Sequence, residues 1–166
     1  PVTVDGPSID QKLGEMNASP ILDFGLWGGL VPGNLGRLEE LVARGVMGFK
    51  AFMCPSGIDE FPACNTHVLR EGMQRIASLG SILLVHAEDP AHLHEPRGRG
   101  ARDFARSRPP EAELNAIFRA IELSEQTGCR LHVVHVSTAE GAKVIQQARD
   151  LGADVSGETC PHYLLY

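Results

Sequence analysis

Short apolar runs that alternate with helix-period segments, each helix stopped by a glycine, constrain this chain more than any other feature. Ile21–Trp27, Met47–Met53, Ser81–His86, Leu131–Ser137 and Ala153–Thr159 read as strands. Between them lie amphipathic helical patterns. One runs from Asn34 with Leu35, Leu38, Leu41 and Val42, and a second carries Val68, Leu69, Met73, Ile76 and Leu79. A third is opened by Pro110 and carries Leu114, Ile117, Phe118 and Ile121; a fourth opens at Ser137, with Glu140 completing a capping-box pattern, and runs to Asp150. Gly45, Gly80, Gly128 and Gly152 mark the stops. Such a series of βα units builds a parallel sheet, either an open doubly wound one or part of a (β/α)8 barrel, and periodicity alone does not choose between them. No GxGxxG turn or P-loop follows a strand, which removes the common dinucleotide and nucleotide-phosphate sites. Polar residues recur near the ends of the central strands, as they do in barrels that deliver catalytic groups there.

A chain of 166 residues, 43% of them apolar, can bury a core as one domain without a disulfide or metal to staple it. Its net charge of -6 argues against a nucleic-acid or anionic-membrane partner held by bulk charge. The uncharged stretch Phe24–Gly36 is broken by Gly28, Gly29, Pro32 and Gly33, too short and too interrupted for a membrane span. No signal-peptide pattern is present. Cys54, Cys64, Cys129 and Cys160 show no CxxC spacing, fit reduced thiols of a cytoplasmic protein, and read as small buried hydrophobes. Pro1 stands where an initiator Met is expected and Tyr163 to Tyr166 are apolar, so the ends are expected to be cut.

Strand parity then picks out chemistry. In Met47–Met53 the apolar set Met47, Phe49, Ala51 and Met53 shares one face, which leaves Lys50 on the sheet interior with Gly48 and Phe52. A buried ammonium is expensive unless it is paired, neutralised or modified. His86 is last on its strand with Ile82 and Leu84; His135 groups with Leu131, Val133 and Ser137, and His132 is sent to the opposite face, beneath a helix. Lys50, His86 and His135, near the ends of successive strands, suggest a metal site, since neutral imidazole suits Zn2+ and a desolvated lysine amine can take up CO2 as an anionic, bridging carbamate. Glu88 and Asp89 are candidate partners for an imidazole. His67, His92 and His94 read as solvent-facing, and His162 as solvent-facing or pocket-lining. Arg97, Arg99, Arg102, Arg106 and Arg108 fall in the long connection Ala87–Pro109, read as a solvated loop or, secondarily, an anion-binding lid. No nucleophile and base pair is evident near Cys54 or Cys160.

The segments DFGLWGGLVPGN from Asp23, GFKAFMCPSGIDEFP from Gly48, LVHAED from Leu84, SRPPEAE from Ser107, HVVHVSTAE from His132 and GETCPHYL from Gly157 closely resemble the allantoinases, cyclic amidohydrolases of the amidohydrolase superfamily. The resemblance spans nearly the whole chain. It implies a TIM-like (β/α)8 barrel of which residues 1–166 form a partial catalytic domain, about the third to the seventh strand, because a whole barrel takes roughly 250 residues. It further implies two Zn2+ ions or other divalent metals, bridged by Lys50 as N6-carboxylysine and held by His86 and His135. The family's HxH pair on the first strand and its general-base Asp on the eighth have no counterpart here; His92 and His94 follow His86 and cannot be that pair. The implied reaction is hydrolysis of allantoin to allantoate, in a cytoplasmic protein that is commonly a homotetramer when full length, with the fragment alone expected inactive. Dihydroorotase or hydantoinase activity is the nearest alternative, although Cys54–Gly57 stands where hydantoinases usually carry a tyrosine-bearing loop. A non-catalytic dihydropyrimidinase-related scaffold is the other, although such proteins have lost metal ligands.

Overall fold

The computed structural model describes residues 2–16 and 21–165; Pro1 and Tyr166, singled out above as end residues, lie outside the described residues. Five parallel strands, β1 (Trp27–Gly29), β2 (Gly48–Phe52), β3 (Ile82–His86), β4 (Arg130–Val133) and β5 (Val155–Gly157), pair in chain order. Helices α2 (Leu38–Ala43), α3 (Thr66–Ser78), α5 (Pro110–Thr127) and α6 (Ala139–Asp150) connect them, with α1 (Gly6–Met16) ahead of β1, a short α4 (Ala101–Ser107) in the connection after β3, and α7 (Pro161–Leu165) after β5. Sequential order without reversal is the topology of a barrel wall, not of a doubly wound sheet, whose order reverses at a switch point.

Parity holds where strands are regular. Phe49, Leu83, Leu131 and Val155 lie at matching register and are all buried beneath the helices. With Leu41, Leu69, Met73, Ile76 and Ile117 they form one core, each such side chain stabilising the fold by roughly 1.5–3 kcal/mol. The opposite face carries the register row Lys50, Leu84, His132 and Ser156. The glycines that end the helices, Gly45, Gly80, Gly128 and Gly152, all have positive φ, as their stop role requires.

Several expectations are corrected. The first strand is Trp27–Gly29, not Ile21–Trp27; Ile21 and Leu22 are exposed. Gly28 and Gly29 belong to this strand, and a Cβ on Gly28 would sit 2.9 Å from the Phe49 ring, so glycine lets β1 approach β2 here. The fourth strand ends at Val133 rather than Ser137. Helix α6 is capped by Thr138, whose side chain accepts from the Gly141 N–H, while Ser137 is engaged by Glu113 instead. Phe118 is exposed, because α5 buries Ala112, Ala116, Ile117, Ala120 and Ile121 against the sheet and its neighbours. His132 lies on the interior face at the register of Leu84, not under a helix; its Nδ1 lies 2.8 Å from Ser156 Oγ.

Candidate metal centre

The centre lies at the C-terminal ends of β2, β3 and β4, in a cavity of about 690 Å³ lined among others by Phe52, His86, Glu88, Arg108, Glu113 and His135. His86, last residue of β3, arrives by regular alternation. His135 arrives otherwise. In unbroken alternation it would share the helix face with Leu131 and Val133; the strand stops first, and His135 takes a left-handed φ of 44°, rare outside glycine. The break turns its ring toward β3, where its Nε2 lies 3.0 Å from His86 Nδ1. Burial lowers the His135 pKa, and the neighbouring His86 and Lys50 lower it further, so the ring is held neutral, the form that ligates metal.

Lys50 extends over the Phe52 ring, its Nζ 4.4 Å from the ring centroid, and donates to the Ala51 carbonyl at 3.2 Å. Phe52 in turn stacks on His86 with ring centroids 5.1 Å apart, and thus links the lysine to the histidine pair. Burial lowers the Lys50 pKa to about 7, so a substantial share of the amine is unprotonated at neutral pH. Phe52 was missed as a site residue, since its parity with Lys50 was visible but its aromatic contact with His86 is a cross-strand one.

The other ring nitrogen of His86, Nε2, lies 2.9 Å from Glu88 Oε2, so Glu88 orients the imidazole as the sequence suggested it could. Glu88 also pairs with Arg108 and accepts from the Cys54 thiol at 3.3 Å. Burial alone would raise its pKa, but the hydrogen bonds from His86, Arg108 and Cys54 outweigh it and bring the carboxyl down to about 2. Arg108 thus differs from a free loop cation in being paired with Glu88, although its side chain stays exposed. Burial, then the bond to Glu88, pushes Cys54 up to about 11; the thiol is protonated, which agrees with its reading as no nucleophile. Among the described residues, Cys54, His86 and Glu88 place a thiol sulfur, a ring nitrogen and a carboxylate oxygen within 4.8 Å of one another.

Asp89 is buried, bonded to Arg119 at 3.1 Å, and holds the start of the connection rather than an imidazole of the centre. His92 lies 3.5 Å from it and has its Nε2 3.3 Å from Asn115 Nδ2, half-buried rather than fully solvent-facing. His67 and His94 are exposed, as is His162 on α7.

The comparisons with known proteins agree with this geometry. An allantoinase of Rubrobacter xylanophilus is 51% identical over all of this chain and 38% of its own length. One of Solibacter usitatus is 43% identical with the same coverage. Among solved structures, the L-hydantoinase (dihydropyrimidinase) of Arthrobacter aurescens superposes with a TM-score of 0.94 at 34% identity, over 99% of this chain and 38% of that one. Over its whole length the chain is similar to the allantoinases. No family model matches it. The five parallel strands are accordingly an arc of the amidohydrolase TIM barrel, and the chain spans under two fifths of the length of the curated relatives it matches.

Proposed function

We propose that residues 1–166 are part of the catalytic barrel of a divalent-metal-dependent cyclic amidohydrolase, and that the whole protein hydrolyses the ring amide of allantoin to allantoate. The observation that carries this reading is the meeting of His86 and His135, ring nitrogens 3.0 Å apart, beside an interior lysine amine poised near neutrality. These donors fit two Zn2+ ions: two imidazoles, one oriented by Glu88 and one held neutral by burial, and a lysine whose uncharged Nζ can attack CO2, losing a proton as the N–C bond forms to leave a carbamate anion. When bound, the cations supply Lewis-acid polarisation of the scissile carbonyl and lower the pKa of water. Within this chain Glu88 fixes the His86 ring, Arg108 neutralises Glu88, and the Phe52 ring packs against the Lys50 amine. The remaining ligands, an HxH pair, and the Asp that would move a proton to the leaving nitrogen are proposed to lie outside these residues.

Allantoin is favoured over hydantoin because identity to the allantoinases exceeds that to the superposing hydantoinase. A scaffold role is disfavoured by the three ligands the chain retains. We place the protein in the cytoplasm, as a homotetramer when full length; no helix among the described residues is long and apolar enough to cross a membrane. The deciding experiment compares turnover of allantoin, dihydroorotate and hydantoin by the full-length protein, with allantoin expected to be fastest. Lys50→Ala should abolish stoichiometric two-metal binding, and retention of both metals would refute the carbamate. The isolated 166 residues should be inactive, and measurable hydrolysis by them would overturn the need for the outlying groups.

A further inference from the structure

The left-handed turn at His135 is bracketed on both sides. Toward β5, the Val136 N–H donates to the Glu158 carbonyl at 2.7 Å, and Thr159 Oγ1 donates to the Val136 carbonyl at 2.7 Å. Toward α5, one carboxylate takes every donor the turn offers. Glu113, in the first turn of α5, accepts from the Ser137 N–H at 2.8 Å and the Ser137 hydroxyl at 2.9 Å on Oε1, and from the Thr138 N–H at 2.9 Å and the Thr138 hydroxyl on Oε2. Two backbone and two hydroxyl donors fill the lone-pair sites of an ionised carboxylate. Thr138 Oγ1 also receives the Gly141 N–H at 3.1 Å, so the same contact seats the start of α6. Gly141 leaves just enough room: a Cβ there would lie 3.2 Å from Glu113 Oε2, 2.9 Å from Thr138 Oγ1 and 2.8 Å from Ile117 Cδ1.

We infer that Glu113 is a positioning residue for His135: it lines the cavity but does no proton chemistry, and instead anchors Ser137 and Thr138 so that the chain is held in the left-handed turn that aims the imidazole at His86. Its acceptor sites are occupied, which leaves none for a substrate proton, and a turn of φ 44° needs its following residues tied down to persist. The consequence for metal binding rests on the reading of His135 as a ligand; the hold on the turn does not.

The test uses the full-length protein with Glu113→Ala, Glu113→Gln, Gly141→Ala and, as reference, His135→Ala. Zn2+ affinity is measured by chelator competition, amide hydrogen exchange at Ser137 and Thr138 on the metal-free form, and folding by far-UV circular dichroism and melting. Glu113→Ala is expected to weaken Zn2+ binding about 10- to 100-fold, as loss of a ligand's supporting shell does, with native circular dichroism and exchange accelerated at Ser137 and Thr138 ahead of the strand amides. Glu113→Gln, which keeps one acceptor oxygen, should fall between. A merely structural role would lower the melting temperature and speed exchange uniformly, without that local order. Should Glu113→Ala fail to fold, Gly141→Ala supplies the graded version; alanine favours helix, so weaker Zn2+ binding there runs against propensity. Parental Zn2+ affinity in Glu113→Ala while His135→Ala loses it, or slow exchange at Ser137 and Thr138, overturns the inference. If His135→Ala itself keeps full Zn2+ affinity, the ligand reading falls and the exchange rates alone judge the hold of Glu113.

Discussion

His86 and His135 end with ring nitrogens 3.0 Å apart, yet the chain delivers them by different means. His86 closes a regular strand whose alternate residues, Leu83 and Val85, are fully buried under the helices, so its direction follows from period two alone. His135 lies two residues past the end of β4, in backbone that histidine seldom adopts, and its direction is imposed by β5 on one side and α5 on the other. One side chain is aimed by local geometry and the other by its neighbours, and only the second can be misaimed without damage to a strand.

The largest effects should fall on the regular parts of both arms. Leu83→Ala and Leu131→Ala each remove a fully buried side chain beneath the sheet and should cost about 2–5 kcal/mol in urea unfolding of the full-length protein. Costs of similar size would show that β4 is as firm as β3 up to its break; a much cheaper Leu131→Ala would place the irregularity earlier. The contrast itself is tested by valine at the two histidines in metal-free protein. His86→Val puts a β-branched residue into a strand and, through loss of the bonds to Glu88 and His135, should cost about 0.5–1.5 kcal/mol, whereas His135→Val loses the contact with His86 and in addition forces a β-branched residue into left-handed backbone, which should cost about 1–3 kcal/mol more. Equal costs would erase the distinction. A comparably small effect is expected of Thr159→Val, which removes the hydroxyl donor to the Val136 carbonyl and should cost about 0.5–1.5 kcal/mol by the same unfolding measurement. No loss there would leave the β5 side of the turn to the Val136–Glu158 backbone bond alone.

Much of this was legible in the residues. Alternation within Met47–Met53 placed Phe49 and Ala51 under helices and Lys50 inside, and it placed His86 at the end of its strand, because a regular strand has no other option. Four helix-stopping glycines were read correctly, since left-handed stops select glycine locally. The reading of Leu131–Ser137 as one strand failed for a physical reason. Val133, Val134 and Val136 are apolar throughout, so hydrophobicity carries no mark of the break, and the acceptors that make the break stable belong to a carboxylate 24 residues upstream. His132 was misplaced by the same error of face.

The sequence by itself determined the order of βα units, the buried face of the regular strands, the interior lysine and the family likeness, all of which rest on short-range periodicity and local motifs. Tertiary structure alone decided where β4 stops, that His135 turns toward His86, that Phe52 lies between Lys50 and His86, and that Glu88 and Glu113 serve the two histidines. Those are contacts between distant segments, and their energy depends on which donors and acceptors the fold brings within about 3 Å, a quantity that no local pattern encodes.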